Sequence, residues 1–203
     1  MIDHIILDVI GGIRDAFEGA LLEQQAVEER FQVDVFLGDL SFETSYSLPG
    51  ETNPARVRAD LTLDWPTWSQ SAYRSWSIGE PPAEPPELVV ELAFRVQNLV
   101  GTPDHARVVA VLDEEGPQLR ADRLERTAPS LEQVFEPGAS EPTGALEVAY
   151  QGSLRLEESL LEDPSKLDDQ IAGLARWVAS ALVRLADLEL PFRPPEEEDS
   201  HRT

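Results

Sequence analysis

Between residues 57 and 65, Val57, Ala59, Leu61, Leu63 and Trp65 alternate strictly with Arg58, Asp60, Thr62 and Asp64. A two-residue period puts each set on its own face of an extended strand, so one face needs an apolar cover and the other can meet water. The same period recurs in Phe31, Val33, Val35 and Leu37, then in Leu40, Phe42, Thr44, Tyr46 and Leu48. It returns in Leu88, Val90, Leu92, Phe94 and Val96, and again in Leu146, Val148, Tyr150, Leu154 and Leu156. A half-buried, antiparallel sheet is the architecture these runs demand.

The phase slips by one residue at Gly38-Asp39. A two-residue hairpin turn with glycine first would pair Leu37 with Leu40, Val35 with Phe42, Val33 with Thr44 and Phe31 with Tyr46, all on one face. One long strand bulged at Gly38 gives the same slip, and the pattern does not separate the two. Residues 106–113 and 119–124 flank Glu114-Glu115-Gly116-Pro117 and read as a second hairpin. A short helix is expected over 129–135 and a loop over 136–144.

Two stretches change to helical spacing. Ile6, Val9, Ile10, Ile13, Phe17, Ala20 and Leu21 predict an amphipathic helix over 5–29, weakened by Gly11, Gly12 and Gly19 by about 1 kcal/mol each relative to Ala. Close packing against a sheet is the expected compensation. Leu167, Ile171, Leu174, Val178, Ala181, Leu185 and Leu188 predict a second helix over 165–189, beside Trp177. The expected fold class is α+β: a hairpin-rich antiparallel sheet of about six to seven strands packed against an N-terminal and a C-terminal amphipathic helix. Residues 1–192 are read as a single domain, with a stiff proline-rich connector at 79–86 between two strand-bearing halves. Residues 193–203, charged and proline-rich, are read as a disordered acidic tail.

The 39 acidic residues against 16 basic ones give a formal charge of −23, which disfavours nucleic acid and anionic membrane surfaces. The basic residues are arginines except Lys166, a bias that fits a GC-rich genome or a salt-adapted proteome as well as a functional surface. The N-terminus has acidic residues where a secretory leader carries Lys or Arg, and no apolar run approaches membrane-spanning length, so a cytoplasmic protein is expected.

Chemistry finds little purchase. The absence of cysteine removes thiolate nucleophiles and thiolate metal sites. His4, His105 and His201 lie in remote segments, without the close ligand spacing of a zinc site or a G-x-S-x-G elbow to serve. Gly11-Gly12 falls inside a helical pattern rather than in a phosphate-binding loop. Carboxylate pairs such as Asp60 with Asp64, or the run Asp113, Glu114 and Glu115, arise by chance in so acidic a chain. No catalytic, cofactor-binding or metal-binding residue is assigned, and no cofactor is expected. Residues 65–76 concentrate three of the four tryptophans, and Trp65, Trp68, Tyr73 and Trp76 are the candidate partner-binding residues, because such rings bury much area at small entropic cost.

Two family resemblances accompany this reading. Ile10-x-x-Ile13-Arg14, Arg30-Phe31-x-Val33, Leu40-x-Phe42 and Ala55-Arg56-Val57 resemble the trypsin-co-occurring domains, small helix-then-strands modules found beside trypsin-like proteases in bacterial conflict systems. That likeness covers the first quarter and implies an accessory protein without chemistry of its own. Asp39-Leu40-Ser41-Phe42-Glu43 is similar to a first-strand phrase of SecB-like export chaperones, whose acidic antiparallel sheets bind unfolded chains. The expected function is therefore a non-enzymatic protein-interaction module, adaptor or accessory. The alternatives are a SecB-like holdase and a structural subunit of a symmetric tail-like assembly. The expected partner is a protein or an unfolded client, with a homo-oligomer as a further possibility.

Overall fold

The computed structural model describes residues 4–194, apart from short stretches at 24–26, 37, 52–53, 102–103, 120–121, 136–141 and 159–163. In chain order the elements are α1 (His4–Glu23), β1 (Val27–Phe36), β2 (Asp39–Ser47), β3 (Val57–Trp65), α2 (Thr67–Ser77), β4 (Glu87–Val100) and α3 (His105–Ala110). They continue with β5 (Glu115–Leu119), β6 (Asp122–Arg126), β7 (Ser130–Val134), β8 (Thr143–Arg155) and α4 (Pro164–Ala186). The strands form one sheet in the order β1-β2-β3-β4-β8-β6-β5, with β7 paired to β8 beside β6, and every pairing is antiparallel. The fold is α+β.

The two-residue alternation is the burial pattern of the sheet. Val57, Ala59, Leu61, Leu63 and Trp65 are buried, as are Leu88, Val90, Leu92, Phe94 and Val96 of β4 and Leu146, Val148, Tyr150 and Leu154 of β8. Helix α4 covers this face with Ile171, Leu174, Val178, Leu182 and Leu185, and its Trp177 meets Tyr150 at 5.0 Å and Phe94 at 5.5 Å, edge to face. Helix α1 reaches the same face through Phe17, stacked on Tyr46 at 4.9 Å.

Several local expectations are corrected. The first helix ends at Glu23 rather than near residue 29, because β1 pairs with β2 as far back as Val27 opposite Ser47, with a register shift between Glu28 and Arg30. Glycines 11, 12 and 19 are not packing sites: a Cβ added at any of them meets nothing within 4 Å. The β1–β2 hairpin exists, but Val35 faces Leu40 and Val33 faces Phe42, two places from the expected register. A shift of two preserves the face of every side chain, which is why alternation alone could not detect it.

The stretch expected to begin the second hairpin is instead α3, opened by the Asp104 side chain accepting from the Ala106 N–H at 3.1 Å. The hairpin is β5–β6, so Gly116-Pro117 lies within a strand rather than at its turn. A Cβ on Gly116 would stand 2.7 Å from the Leu124 Cβ and 3.3 Å from the Tyr150 ring, so glycine serves close approach there. The helix expected over 129–135 is strand β7. β6 pairs with β8 only at Gln151 and Tyr150, which leaves the ladder along 143–147 open for β7 to satisfy.

The proline-rich stretch joins α2 to β4, and β4 is the direct neighbour of β3, so it links adjacent strands of one sheet rather than separating two halves. At the other end, Arg193 is tied down by its N–H to the Asn98 carbonyl at 2.7 Å and by its guanidinium to Thr143 Oγ1 at 3.1 Å. The rest of the expected tail, from residue 195, lies outside the described residues.

Candidate functional site

The aromatic segment 65–76 is divided by the fold. Trp65 is fully buried at the end of β3, and its indole N–H donates to Ser69 Oγ at 3.0 Å. Tyr73 is also buried, edge to face with Trp65 at 5.5 Å, and Trp76 lies half-buried at 5.8 Å from Tyr73. Only Trp68 of the four presents a large exposed surface, at 45%. Three of the rings thus anchor α2 to the sheet, and Trp68 remains as a surface group.

The anchoring is polar as well. Ser69 Oγ also accepts the Glu87 N–H at 2.7 Å and donates to the Glu87 carbonyl at 2.6 Å, joining α2 to the start of β4. Pro66, at the helix N-cap, offers no capping side chain, and Asp39 supplies one from the hairpin: its carboxylate accepts from the Thr67 N–H at 2.6 Å and the Thr67 hydroxyl at 2.7 Å. Those two bonds, the hydroxyl's being the stronger, hold the Asp39 carboxyl below the ordinary carboxylate range. Gln70 completes the clamp with amide donations to the Gly38 and Trp65 carbonyls at 2.9 and 2.8 Å.

The other face of the sheet is the larger feature. Both long helices lie on the apolar face, and among the described residues no helix covers the opposite one. Register aligns its side chains in rows across four strands: Ser47, Arg58, Arg95, Glu147; Ser45, Asp60, Ala93, Ala149; Glu43, Thr62, Glu91, Gln151. Short side chains in the middle row and long ones on either side make a shallow concavity of about 480 Å³. It is lined by Ser45, Thr62 and Ala93 together with the carboxylates Glu43, Asp60, Glu91 and Glu147 and the guanidinium of Arg58.

Most of these charges are already engaged. Asp60 accepts from the Ser45 hydroxyl at 2.6 Å and pairs with Arg58 at 3.0 Å, and Gln151 donates to Glu91 at 3.2 Å. Arg95 reaches Glu132 of β7 at 2.6 Å and Glu147 at 3.8 Å. Asp60 is thus held by a hydroxyl and a guanidinium, Glu91 by an amide and Glu147 by a guanidinium. The alternation in β3 places Arg58, Asp60, Thr62 and Asp64 on its polar side but carries no sign of the groove. The missing signal was the small residues Ser45, Ala93 and Ala149, which align only once strand order is known.

Other groups considered from sequence do not gather. Asp113 accepts from the Trp177 indole and from Arg184, each at 2.9 Å, fastening the end of α3 to α4, and Glu115 pairs with Arg123. His105 is exposed at the start of α3, and His201 lies outside the described residues. Among the described residues no cluster of three metal-ligating side chains occurs, and no helix is long and apolar enough to cross a membrane. No protein-family model matches this chain, and comparisons with curated proteins and with solved structures return no match.

Proposed function

We propose that this chain is a non-enzymatic protein-interaction module, an adaptor or accessory protein that docks a partner on the uncovered face of its sheet. The observation that carries the reading is the concave face itself, lined by Ser45, Thr62 and Ala93 and left outside the helical layer. Four carboxylates line the concavity; Arg58 pairs with Asp60 and Arg95 reaches Glu147, and the acidic excess left by Glu43 and Glu91 favours a partner segment bearing Lys or Arg, which the formal charge of −23 steers toward the surface. The helix-then-strands order of the first quarter fits the accessory role implied by its likeness to the trypsin-co-occurring domains. A holdase needs apolar surface, whereas the three rows across β2, β3, β4 and β8 are polar apart from Ala93 and Ala149, and that favours the adaptor reading.

The test uses a fluorescent Lys/Arg-rich peptide and a Glu-rich control of equal length, titrated with the purified protein by anisotropy. Binding of the basic peptide is expected, falling steeply as salt rises. Thr62→Arg should abolish it and Trp68→Ala should leave it intact. Equal binding by wild type and Thr62→Arg refutes the assignment of the face, and loss in Trp68→Ala alone moves the surface to α2.

A further inference from the structure

Helix α1 is built to be weak. Gly11, Gly12 and Gly19 each favour the unfolded chain about fivefold relative to alanine, about 1 kcal/mol, and no neighbour lies close enough to any of them to require glycine. Within the helix no acidic residue occupies the first turn and no basic residue the last, so no charge of its own complements the dipole there. The helix rests mainly on α4 rather than on the sheet. Its described anchors are Phe17, stacked on Tyr46, and Leu21, while the adjacent Leu22 is 69% exposed. Helix α4, by contrast, seats on the sheet through Trp177 and a continuous buried stripe.

We infer that α1 is a strap that unfolds locally while α4 and the sheet stay folded, uncovering Tyr46 and the neighbouring apolar surface of α4. A residue placed three times where alanine would fit keeps that opening accessible, since replacing it is an easy route to a firmer helix. This inference stands apart from the peptide-binding face, which lies on the opposite side of the sheet.

Native-state hydrogen exchange of the full chain, read by mass spectrometry, tests it. Peptides from α1 should exchange at least about tenfold faster than those from the buried stripe of α4, yet slower than an unstructured chain. Gly12→Ala and Gly19→Ala should each slow α1 exchange about fivefold and leave α4 unchanged. Exchange of α1 and α4 in step, α1 exchange at the rate of an unstructured chain, or α1 exchange unaltered in the double variant would each overturn the inference.

Discussion

Removing one oxygen at Ser69 should cost far more than the size of the change suggests. Ser69 is fully buried, and its hydroxyl serves three groups: the Trp65 indole N–H, the Glu87 N–H and the Glu87 carbonyl. Ser69→Ala leaves all three without that partner, and a buried group so orphaned costs about 1–3 kcal/mol. Trp65 is sealed from water and takes about 2 kcal/mol of this, while the Glu87 groups, partly reached by water, add about 1 kcal/mol. The expected loss is about 3 kcal/mol, or roughly 6–12 °C in Tm for a chain of this length. Urea unfolding followed by tryptophan fluorescence measures it. In the Trp65→Phe background the same change should cost about 1–2 kcal/mol less, because the indole donor is already gone. A loss below about 1 kcal/mol in the single variant, or no coupling in the pair, would refute the three-way bond.

Other outcomes follow from features of the same kind. Gly116→Ala forces a methyl to within 2.7 Å of Leu124 and should destabilise by about 1–3 kcal/mol in the same assay. Asp39 has a depressed folded pKa, so its clamp on α2 is fully present above the ordinary carboxylate range and is lost as pH falls through its own lower value. Carboxyl NMR titration should show Asp39 returning toward the ordinary value in Thr67→Ala. Burial pushes the Tyr150 phenol up, with Arg126 and Arg184 partly opposing, so its contribution is present below the ordinary tyrosine pKa and is lost as pH rises through the raised one. Tyr150→Phe should remove a late step from the ultraviolet titration of tyrosinate.

Strand identity was legible from sequence because burial imposes its period directly, and the inner residues of β3, β4 and β8 are those the alternation named. What escaped was anything set by a distant partner. The register of β1 against β2 escaped because a slip of two leaves the pattern unchanged. The segment 129–135 has no strand signal of its own, because the ladder that makes it β7 is offered by β8, later in the chain. Gly116 looked like a turn because glycine serves both bends and tight approaches, and only Leu124 and Tyr150 decide which. The spacing of Trp65, Tyr73 and Trp76 has no strict period, so it leaves an interface role and core packing both open. In the fold Trp65 bonds Ser69 and meets the Tyr73 ring, and Ser69 and Gln70 carry that anchor on to Glu87 of β4 and to Gly38 in the β1–β2 turn. The concave face needed strand order, which no local pattern supplies.

The pairing of β4 with β8 sets the order in which this chain can be made. Leu88 meets Leu154 and Val100 meets Thr143, so the central strand of the sheet waits for a partner encoded well downstream. At ordinary translation rates β4 leaves the ribosome roughly 3–10 s before β8, and α4, the main cover of the apolar face, follows later still. For that interval the apolar residues of β1 to β4 lack the cover of α4, and β4 lacks its β8 neighbour. The Glu, Asp and Arg residues distributed along the other side then act as gatekeepers against association with neighbouring nascent chains. The charged side is thus complete before the apolar side is covered.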